Sequence, residues 1–389
     1  MATKKSNGEG TIYTTERNGR KYYTGQVTIG IDENGKQLRK SFSGYKRSEV
    51  VQKMKEAQFY IDKNIYTSSG NMTFSTYIKE WLFTSKKAEL APRSFEKYVS
   101  TYENKIKDDP ISRVELSSLT TLNLQKYFNR LVEKGESYNQ VRHTRMMIKS
   151  ALEDAVNANL LFRNPVAGVK IKKDETKKKY NILSQEEQQK FIEELDLTNS
   201  CDMLIYITLS SGLRLGEVLA LKWEDFDGST LNINKQIQNI CTFNDDGSKT
   251  WQKTITELKT KDSYSTVPLP EKAIVELKKY KIRQLEHKLK LGKAYKDNDF
   301  IFTSDIGDPL DRKKPGRRVS AICKKLNIEH KTFHSLRHSY CTRLFEAGVP
   351  IKTVQSLMRH SNSKTTLDIY THVMPEQKEN AVLKLQQFL

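Results

Sequence analysis

A short, strongly basic segment sets the first limit on how this chain can fold. Residues 170–179 contain six lysines and two acidic residues, and their one apolar side chain, Ile171, lies near the start. Like charges at this density repel one another and leave nothing to bury, so the segment favours a solvated conformation. We therefore predict a basic linker over residues 171–181 that divides the 389-residue chain into separately folded parts.

The net charge indicates the kind of partner. The chain has 66 basic and 47 acidic side chains, a formal net charge of +19, and residues 1–62, 63–180 and 181–389 are each positively charged. Lysine and arginine release counterions when they bind phosphates, so this excess favours nucleic acid as a partner along the whole chain. Charge alone leaves open a basic protein that does not bind nucleic acid.

The cysteines and the hydropathy pattern argue against several other classes. Four widely spaced cysteines form no Cys-x-x-Cys pair, which predicts reduced structural thiols and no metal site: Cys201, Cys241, Cys323 and Cys341. No apolar run approaches the roughly 20 residues of a membrane-spanning helix. The first ten residues are polar and lack the apolar core of a secretory signal. We expect a cytoplasmic protein with no membrane partner.

Residues 1–66 predict a small three-stranded sheet followed by one helix. Segments rich in β-forming residues, separated by two turns that contain Asn-Gly, predict strands at residues 10–13, 21–29 and 36–42. Ser48 then precedes a helical segment that ends near Lys63.

A sheet of this size fits into the major groove of DNA, where basic side chains contact base edges or phosphates. Five basic residues are candidates for the face that meets DNA, although a solvated surface explains each of them equally well: Arg17, Arg20, Lys21, Arg39 and Lys40.

Residues 72–170 predict an all-helical domain. Apolar side chains recur at helical spacing in four segments, which begin at Thr73, Pro92, Thr121 and Asn139. We interpret these stripes as core. The fourth helix also has a basic flank, and two lysines follow in the linker. These residues are candidates for DNA-phosphate contacts, with a solvated face as the alternative: Arg142, His143, Arg145, Lys149, Lys172 and Lys173.

Residues 182–389 predict a mixed, mainly helical domain with a small sheet. Ser184 and Glu187 form a capping box at the head of a helix. After the apolar segment that follows, a Ser-Gly turn leads to a second helix that begins near Arg214. An arginine in apolar surroundings is costly to bury alone. Either Glu217, one turn further on, neutralises it, or it binds an anion.

Two lysines follow in a predicted turn. Strands are predicted at residues 231–234, 251–256 and 265–269, and the turn between the last two contains Lys259 and Lys261. A lysine at such a hairpin tip is usually solvated, but it can also reach across a groove as a proton donor.

Four further residues complete a pattern near the end of the chain. His334 and Arg337 lie one turn apart on a predicted helix, and Tyr370 follows His360 by ten residues. Each pair is weak alone. In their order along the chain, six residues resemble the signature of the tyrosine recombinases: Arg214, Lys259, His334, Arg337, His360 and Tyr370.

The resemblance covers nearly the whole chain. Residues 211–217, 334–338 and 360–372 are similar to segments of phage and conjugative-transposon integrases. Residues 1–66 resemble their arm-site-binding domain, and residues 72–170 their core-binding domain. The resemblance implies a site-specific recombinase that integrates and excises a mobile element.

The resemblance also implies a role for each site residue. Tyr370 is the nucleophile that forms a 3′-phosphotyrosyl bond, and Arg214 and Arg337 bind the non-bridging oxygens of the phosphate. Lys259, favoured over Lys261 by the family pattern, protonates the 5′-oxygen. His334 and His360 add hydrogen bonds and manage protons, and Glu217 orients Arg214. The covalent bond conserves the phosphodiester energy, so neither a cofactor nor a metal is expected.

One departure and several alternatives remain open. The family usually has glycine before the late histidine, where this chain has Arg359. Tyr340 is a second tyrosine near the site, on a segment that indicates a packed helix. A topoisomerase of type IB with the same chemistry, and a DNA-binding protein without catalysis, are the alternative functions. A chromosome-dimer resolvase is disfavoured because it normally lacks the N-terminal sheet.

The resemblance extends to the partners. These are double-stranded DNA at core and arm attachment sites, a homotetramer on DNA, and an excision or accessory factor. Apolar residues at helical spacing in residues 376–389 predict a tail helix, which packs on its own domain or docks on a neighbouring protomer.

Overall fold

The predicted linker contains the boundary between two structural units. The computed structural model divides the chain into Met1–Glu175 and Thr176–Leu389. It describes residues 11–17, 19–31, 37–62, 72–173, 181–244, 248–258, 265–360 and 362–373. We describe each unit by itself.

The first unit begins with the expected sheet and helix. Strands β1 (Thr11–Arg17), β2 (Arg20–Ile31) and β3 (Gln37–Gly44) form an antiparallel sheet in this order, and α1 spans Arg47–Asp62. Arg17 pairs with Arg20, and Gly19 between them has φ 69°, a conformation that glycine adopts without strain. The second predicted turn lies outside the described residues.

The two faces of this sheet differ, and the difference corrects one prediction. Val27 packs on Val50 and Met54 of α1, so the face that carries Val27 is covered by the helix. Lys40 is directly opposite Val27, and Lys21 lies on the same side because side chains alternate along β2. The prediction that the five basic residues share one face of the sheet is therefore wrong, because Lys21 and Lys40 lie on the side that α1 covers.

The other three basic residues share the face that the helix leaves uncovered. Arg17 is opposite Arg20, and Arg39 is opposite Thr28 on the same side of β2. All three side chains are exposed. Polar pairs lie between them, including Thr24 with Ser43 at 3.0 Å and the Gln26 amide, which donates to the Ser41 hydroxyl at 3.1 Å.

The helical part of the first unit confirms the four predicted segments. Its helices are α2 (Phe74–Trp81), α3 (Lys87–Glu89), α4 (Pro92–Thr101), α5 (Thr121–Glu133) and α6 (Tyr138–Asn157). Thr73 caps α2, and Pro92 opens α4 as expected. The cap of α5 is Thr120 rather than Thr121, since the Thr120 hydroxyl accepts the N–H of Asn123. The apolar stripes form a core that includes Phe74, Ile78, Leu124 and Phe128.

The second unit is mainly helical. Its helices are α7 (Gln185–Glu193), α8 (Ser200–Ser211), α9 (Leu215–Val218), α10 (Glu271–Leu291), α11 (Lys314–Lys325), α12 (Phe333–Glu346), α13 (Ile351–Met358) and α14 (Ser363–Val373). The predicted capping box of Ser184 and Glu187 begins α7. The almost wholly buried α8 is the centre of the unit, because α10, α11 and α12 all pack against it.

The strands of the second unit pair differently from the prediction. Strands β4 (Thr230–Ile233) and β7 (Ser265–Pro268) form one antiparallel pair, and β5 (Lys235–Phe243) and β6 (Lys249–Glu257) form another. Strand β5 was not predicted, because its polar residues weaken its alternation. The described strands β6 and β7 therefore belong to different sheets, and the predicted hairpin between them is wrong.

Two further predictions concern cysteine chemistry and the membrane. All four cysteines are buried thiols, as expected. None of the described helices combines the length and the apolar character that a membrane span requires.

Candidate active site

A glycine turn brings the first arginine into place. α8 ends at Gly212, whose φ of 64° reverses the chain, and a Cβ added there would lie 2.4 Å from Cδ1 of Tyr340. Both the left-handed backbone and the close approach therefore require glycine. Arg214 follows as the N-cap residue of α9, which confirms the predicted helix start.

Glu217 is a buried carboxylate that binds two guanidinium groups. Its side chain is 2% exposed, and its Oε1 accepts a hydrogen bond from Nη1 of Arg214 at 2.7 Å. Its Oε2 accepts from the Arg214 N–H at 2.9 Å and from Nη2 of Arg359 at 2.8 Å. Burial raises the pKa of Glu217, but Arg359 and Arg214 outweigh burial and lower it overall. The carboxylate is therefore ionised and orients Arg214.

Arg337 is a buried residue that donates hydrogen bonds to the C-terminal ends of two helices. It lies on α12, is 2% exposed, and donates to the carbonyl oxygens of Gly212 and Met358. Burial, with the positive charges of Arg214 and Arg359, lowers the pKa of Arg337 to about 9. The three arginines thus form one cluster whose positive charge is only partly balanced by Glu217.

Arg359 belongs to this cluster, although its place in the sequence indicated only a departure from the family pattern. It follows α13 in the left-handed conformation, and its side chain is 1% exposed. Nη2 of Arg214 donates to its carbonyl oxygen at 3.0 Å. An arginine at a position that usually holds glycine was the only sequence signal for this contact.

Two histidines lie within the electrostatic field of the arginine cluster. Burial first, then Arg337 and Arg214, lower the pKa of His334, and the same causes lower the pKa of His360 to about 3. Nδ1 of His360 is 2.8 Å from the Thr366 hydroxyl, and the His334 ring meets His338 edge-on, with centroids 4.5 Å apart. Both imidazoles are therefore neutral near pH 7.

Tyr370 lies on α14, which packs against α12 and α13. Its partly buried ring meets Phe345 edge-on, with ring centroids 5.1 Å apart, and packs against the cluster of Val354, Met358 and Ile369. Helix α12, which carries Arg337, and helix α13, which precedes Arg359, therefore both contact the helix of Tyr370. Lys259 and Lys261 lie outside the described residues.

The predicted DNA contacts outside this site are unequally available. Arg142 and Lys149 on α6, and Lys172 and Lys173 after it, are exposed. Arg145 is half-buried, and its Nη2 donates to the carbonyl of Val166 at 3.5 Å. Burial, with Lys97 and Arg142, lowers the pKa of His143, so it adds little positive charge near pH 7.

The arrangement is suited to binding a multiply charged oxyanion. The three guanidinium groups and one carboxylate leave two positive charges, and the Arg214 side chain is 38% exposed. Forked guanidinium donors match the oxygens of a phosphate group. A phosphate bound there would lie beside two neutral imidazoles, each of which carries one N–H donor.

Comparison with known proteins gives consistent results. The Phage integrase family matches residues 180–377, and the phage integrase N-terminal SAM-like domain matches residues 73–132. A tyrosine recombinase XerC-like protein of Caldanaerobacter subterraneus subsp. tengcongensis is 34% identical over 94% of this chain and 96% of its own length. The ICEBs1 integrase of Bacillus subtilis is 27% identical over 94% of this chain and 97% of its own length.

A solved structure shows the same fold. The structure of the Tn1549 transposon integrase in complex with a circular intermediate DNA aligns with a TM-score of 0.65 at 20% sequence identity. The alignment covers 81% of this chain and 99% of that one.

Proposed function

The chain belongs to the phage integrase family of tyrosine recombinases, which break and rejoin DNA in the site-specific recombination of mobile elements, and from this premise we propose that Tyr370 is its nucleophile. The observation that carries the proposal is the cluster of Arg214, Arg337 and Arg359 around the buried Glu217, beside the helix that presents Tyr370.

The cleavage step is a phosphoryl transfer. The Tyr370 oxygen attacks the scissile phosphorus, a new O–P bond forms, and the bond from phosphorus to the 5′-oxygen breaks. The product is a 3′-phosphotyrosyl bond and a free 5′-hydroxyl. The free 5′-hydroxyl of another cleaved strand then attacks the phosphotyrosyl phosphorus and releases Tyr370. This second step rejoins the DNA and leaves the number of phosphodiester bonds unchanged.

The arginines stabilise the transition state. Arg214 and Arg337 bind the non-bridging oxygens, on which negative charge increases as the fifth bond to phosphorus forms. Glu217 keeps Arg214 in the orientation that this contact needs. Because these donors are already held by hydrogen bonds within the protein, little reorganisation is needed when the charge develops.

The proton transfers are assigned to the remaining residues. The lowered pKa keeps His334 and His360 neutral, so each can donate an N–H hydrogen bond to a phosphate oxygen. The negative charge of a bound phosphate raises the pKa of both groups, which favours transfer of the phenol proton to one of them. Lys259 protonates the departing 5′-oxygen, with Lys261 as the alternative.

DNA contacts outside the active site divide between two regions. We assign arm-site DNA to Arg17, Arg20 and Arg39 on the uncovered face of the sheet. We assign core-site phosphates to Arg142, Lys149, Lys172 and Lys173, with a smaller contribution from Arg145. The charge of +19 supports contacts along the whole chain.

The assembly that acts on DNA is a homotetramer. Reciprocal exchange between two duplexes cleaves four strands, and each cleavage needs one tyrosine. An accessory factor that favours excision over integration completes the proposed set of partners.

Formation of the covalent intermediate tests the proposed nucleophile. The full-length protein is incubated with a nicked duplex that carries the end of its element, and a denaturing gel is examined for a protein–DNA band. We expect the band with the wild type and with Tyr340→Phe, and no band with Tyr370→Phe. A band from Tyr370→Phe would overturn the assignment.

The same duplex separates the alternative functions. Wild-type protein that binds the duplex and never forms the band would favour a DNA-binding protein without catalysis. A band together with relaxation of supercoiled plasmid, but without strand exchange between two duplexes, would favour a topoisomerase of type IB.

A further inference from the structure

An arginine occupies a backbone position that favours glycine. Arg359 ends α13 with φ 52° and ψ 47°, and its N–H reaches the carbonyls of Gln355 and Ser356. Glycine is the usual residue in this helix-ending conformation, because a side chain strains it. Strain of this kind is retained where the side chain contributes something that glycine lacks.

The hydrogen-bond donors of the Arg359 side chain are only partly paired among the described residues. Its Nε and Nη1 are buried and have no hydrogen-bond partner among the described residues. Unpaired buried donors destabilise a fold. Stability alone therefore does not explain an arginine at this position.

Arg359 holds Arg214 through two contacts. Its carbonyl oxygen accepts a hydrogen bond from Nη2 of Arg214 at 3.0 Å. Its Nη2 donates at 2.8 Å to Oε2 of Glu217, whose Oε1 accepts from Nη1 of Arg214 at 2.7 Å. Because both Nη atoms of Arg214 are held in this way, a shift of Arg359 moves the guanidinium group.

The shared carboxylate also sets the charge of the site. If Glu217 paired with Arg214 alone, it would neutralise the group that has to bind the phosphate. A second guanidinium on the same carboxylate leaves Arg214 more positive. The two net charges of the cluster match the two negative charges of a pentacoordinate phosphorane better than the single charge of a phosphodiester.

We propose that Arg359 is a positioning residue of the cleavage reaction, which acts through Glu217 to hold and polarise Arg214. The inference rests on the proposed contact between Arg214 and the scissile phosphate. Arg359 itself is not proposed to touch DNA, since its side chain acts on Glu217.

Single-turnover cleavage of the nicked duplex tests the proposal. We expect Arg359→Gly to cleave on the order of 100-fold more slowly, since small displacements of a phosphate-binding group have effects of this size. DNA affinity should stay unchanged, and Arg359→Lys should recover part of the rate. The matched control is Asn327→Gly, which removes a side chain at φ 55° from an exposed position and should cleave at the wild-type rate.

A double-mutant cycle with Glu217→Gln separates positioning from a general structural role. If Arg359 acts through Glu217, the double variant Glu217→Gln/Arg359→Gly should cleave no more slowly than Glu217→Gln alone. Thermal unfolding shows which variants are folded, and Arg359→Lys replaces Arg359→Gly in the cycle if the glycine variant does not fold.

Two results would overturn the proposal: a wild-type cleavage rate for Arg359→Gly, or multiplicative losses in the double variant. Failure of the underlying function would look different. In that case Arg214→Ala would cleave normally, or Tyr370→Phe would still form the covalent band.

Discussion

At the scale of single residues, burial and the positive charge of the arginines together explain why the histidines of this site are neutral. Arg337, Arg359 and Glu217 are almost completely buried, and each guanidinium lowers the pKa of its neighbours. Burial and the same positive field lower the pKa of His334 and His360. The fold thus keeps the imidazoles neutral and the arginines charged within one small volume.

The lowered pKa of His360 predicts a pH dependence of stability. The pKa of His360 is about 6.5 in the unfolded chain and about 3 in the folded protein. At pH values between these two, the unfolded state binds a proton at this residue and the folded state does not. Stability therefore falls as the pH is lowered from 7 to 5. We expect the melting temperature of the wild type to fall more over this range than that of His360→Gln.

The same pair of proteins supplies the control for this measurement. Between pH 8 and 7 residue 360 is mostly neutral in both states, so the difference between the two melting temperatures should change little. Parallel curves from pH 8 to pH 5 would contradict the assignment of a neutral, low-pKa His360.

At the scale of elements, strand register decides which charges can meet DNA. The turn at Gly19 leaves Arg17 paired with Arg20, and the register of the three strands places Arg17, Arg20 and Arg39 on the uncovered face. Lys21 and Lys40 alternate to the side that faces α1. In the second unit, the turns at Gly212 and Arg359 bring the ends of α8 and α13 to the guanidinium of Arg337.

The two faces of the sheet can be compared at equal charge. Arg20→Ala/Arg39→Ala and Lys21→Ala/Lys40→Ala each remove two positive charges. We expect the first pair to lower the affinity for arm-site duplex. It should also reduce the slope of log K against log salt by about 0.9 for each phosphate that the variant no longer neutralises. The second pair should change both quantities much less.

Titration of labelled duplex at several salt concentrations gives both quantities. Equal reductions in the two double variants would mean that net charge, rather than the uncovered face, governs binding.

At the scale of the whole molecule, the proposed homotetramer requires several protomers to act together. The relatives match this chain over nearly its full length, so the N-terminal part belongs to the shared architecture. The proposed division into arm-binding, core-binding and catalytic domains stays a prediction, as does the role of the tail helix, which lies outside the described residues.

Deletion of residues 377–389 tests that role. If the tail docks on a neighbouring protomer, strand exchange between two duplexes should fall more than binding to one duplex, because binding does not need the neighbour. Gel-shift and recombination assays on the same preparation measure both. An equal decrease in both activities would indicate a tail that supports its own domain.

Sequence alone determined what depends on local order. The spacing of Arg214, His334, Arg337, His360 and Tyr370 identified the family, and apolar periodicity and caps predicted most of the helices, because these signals act over a few residues. The unit boundary within residues 171–181 and the free thiols of the four cysteines were also predictable from composition and spacing.

The tertiary structure decided what depends on residues far apart in the chain. Arg214 and Arg359 are separated by 145 positions, so no local pattern could show that they share Glu217. Strand pairing placed β6 and β7 in different sheets, and register moved Lys21 and Lys40 away from the uncovered face. Contacts of this kind are set by packing across the whole unit, and the sequence contains no short-range signal for them.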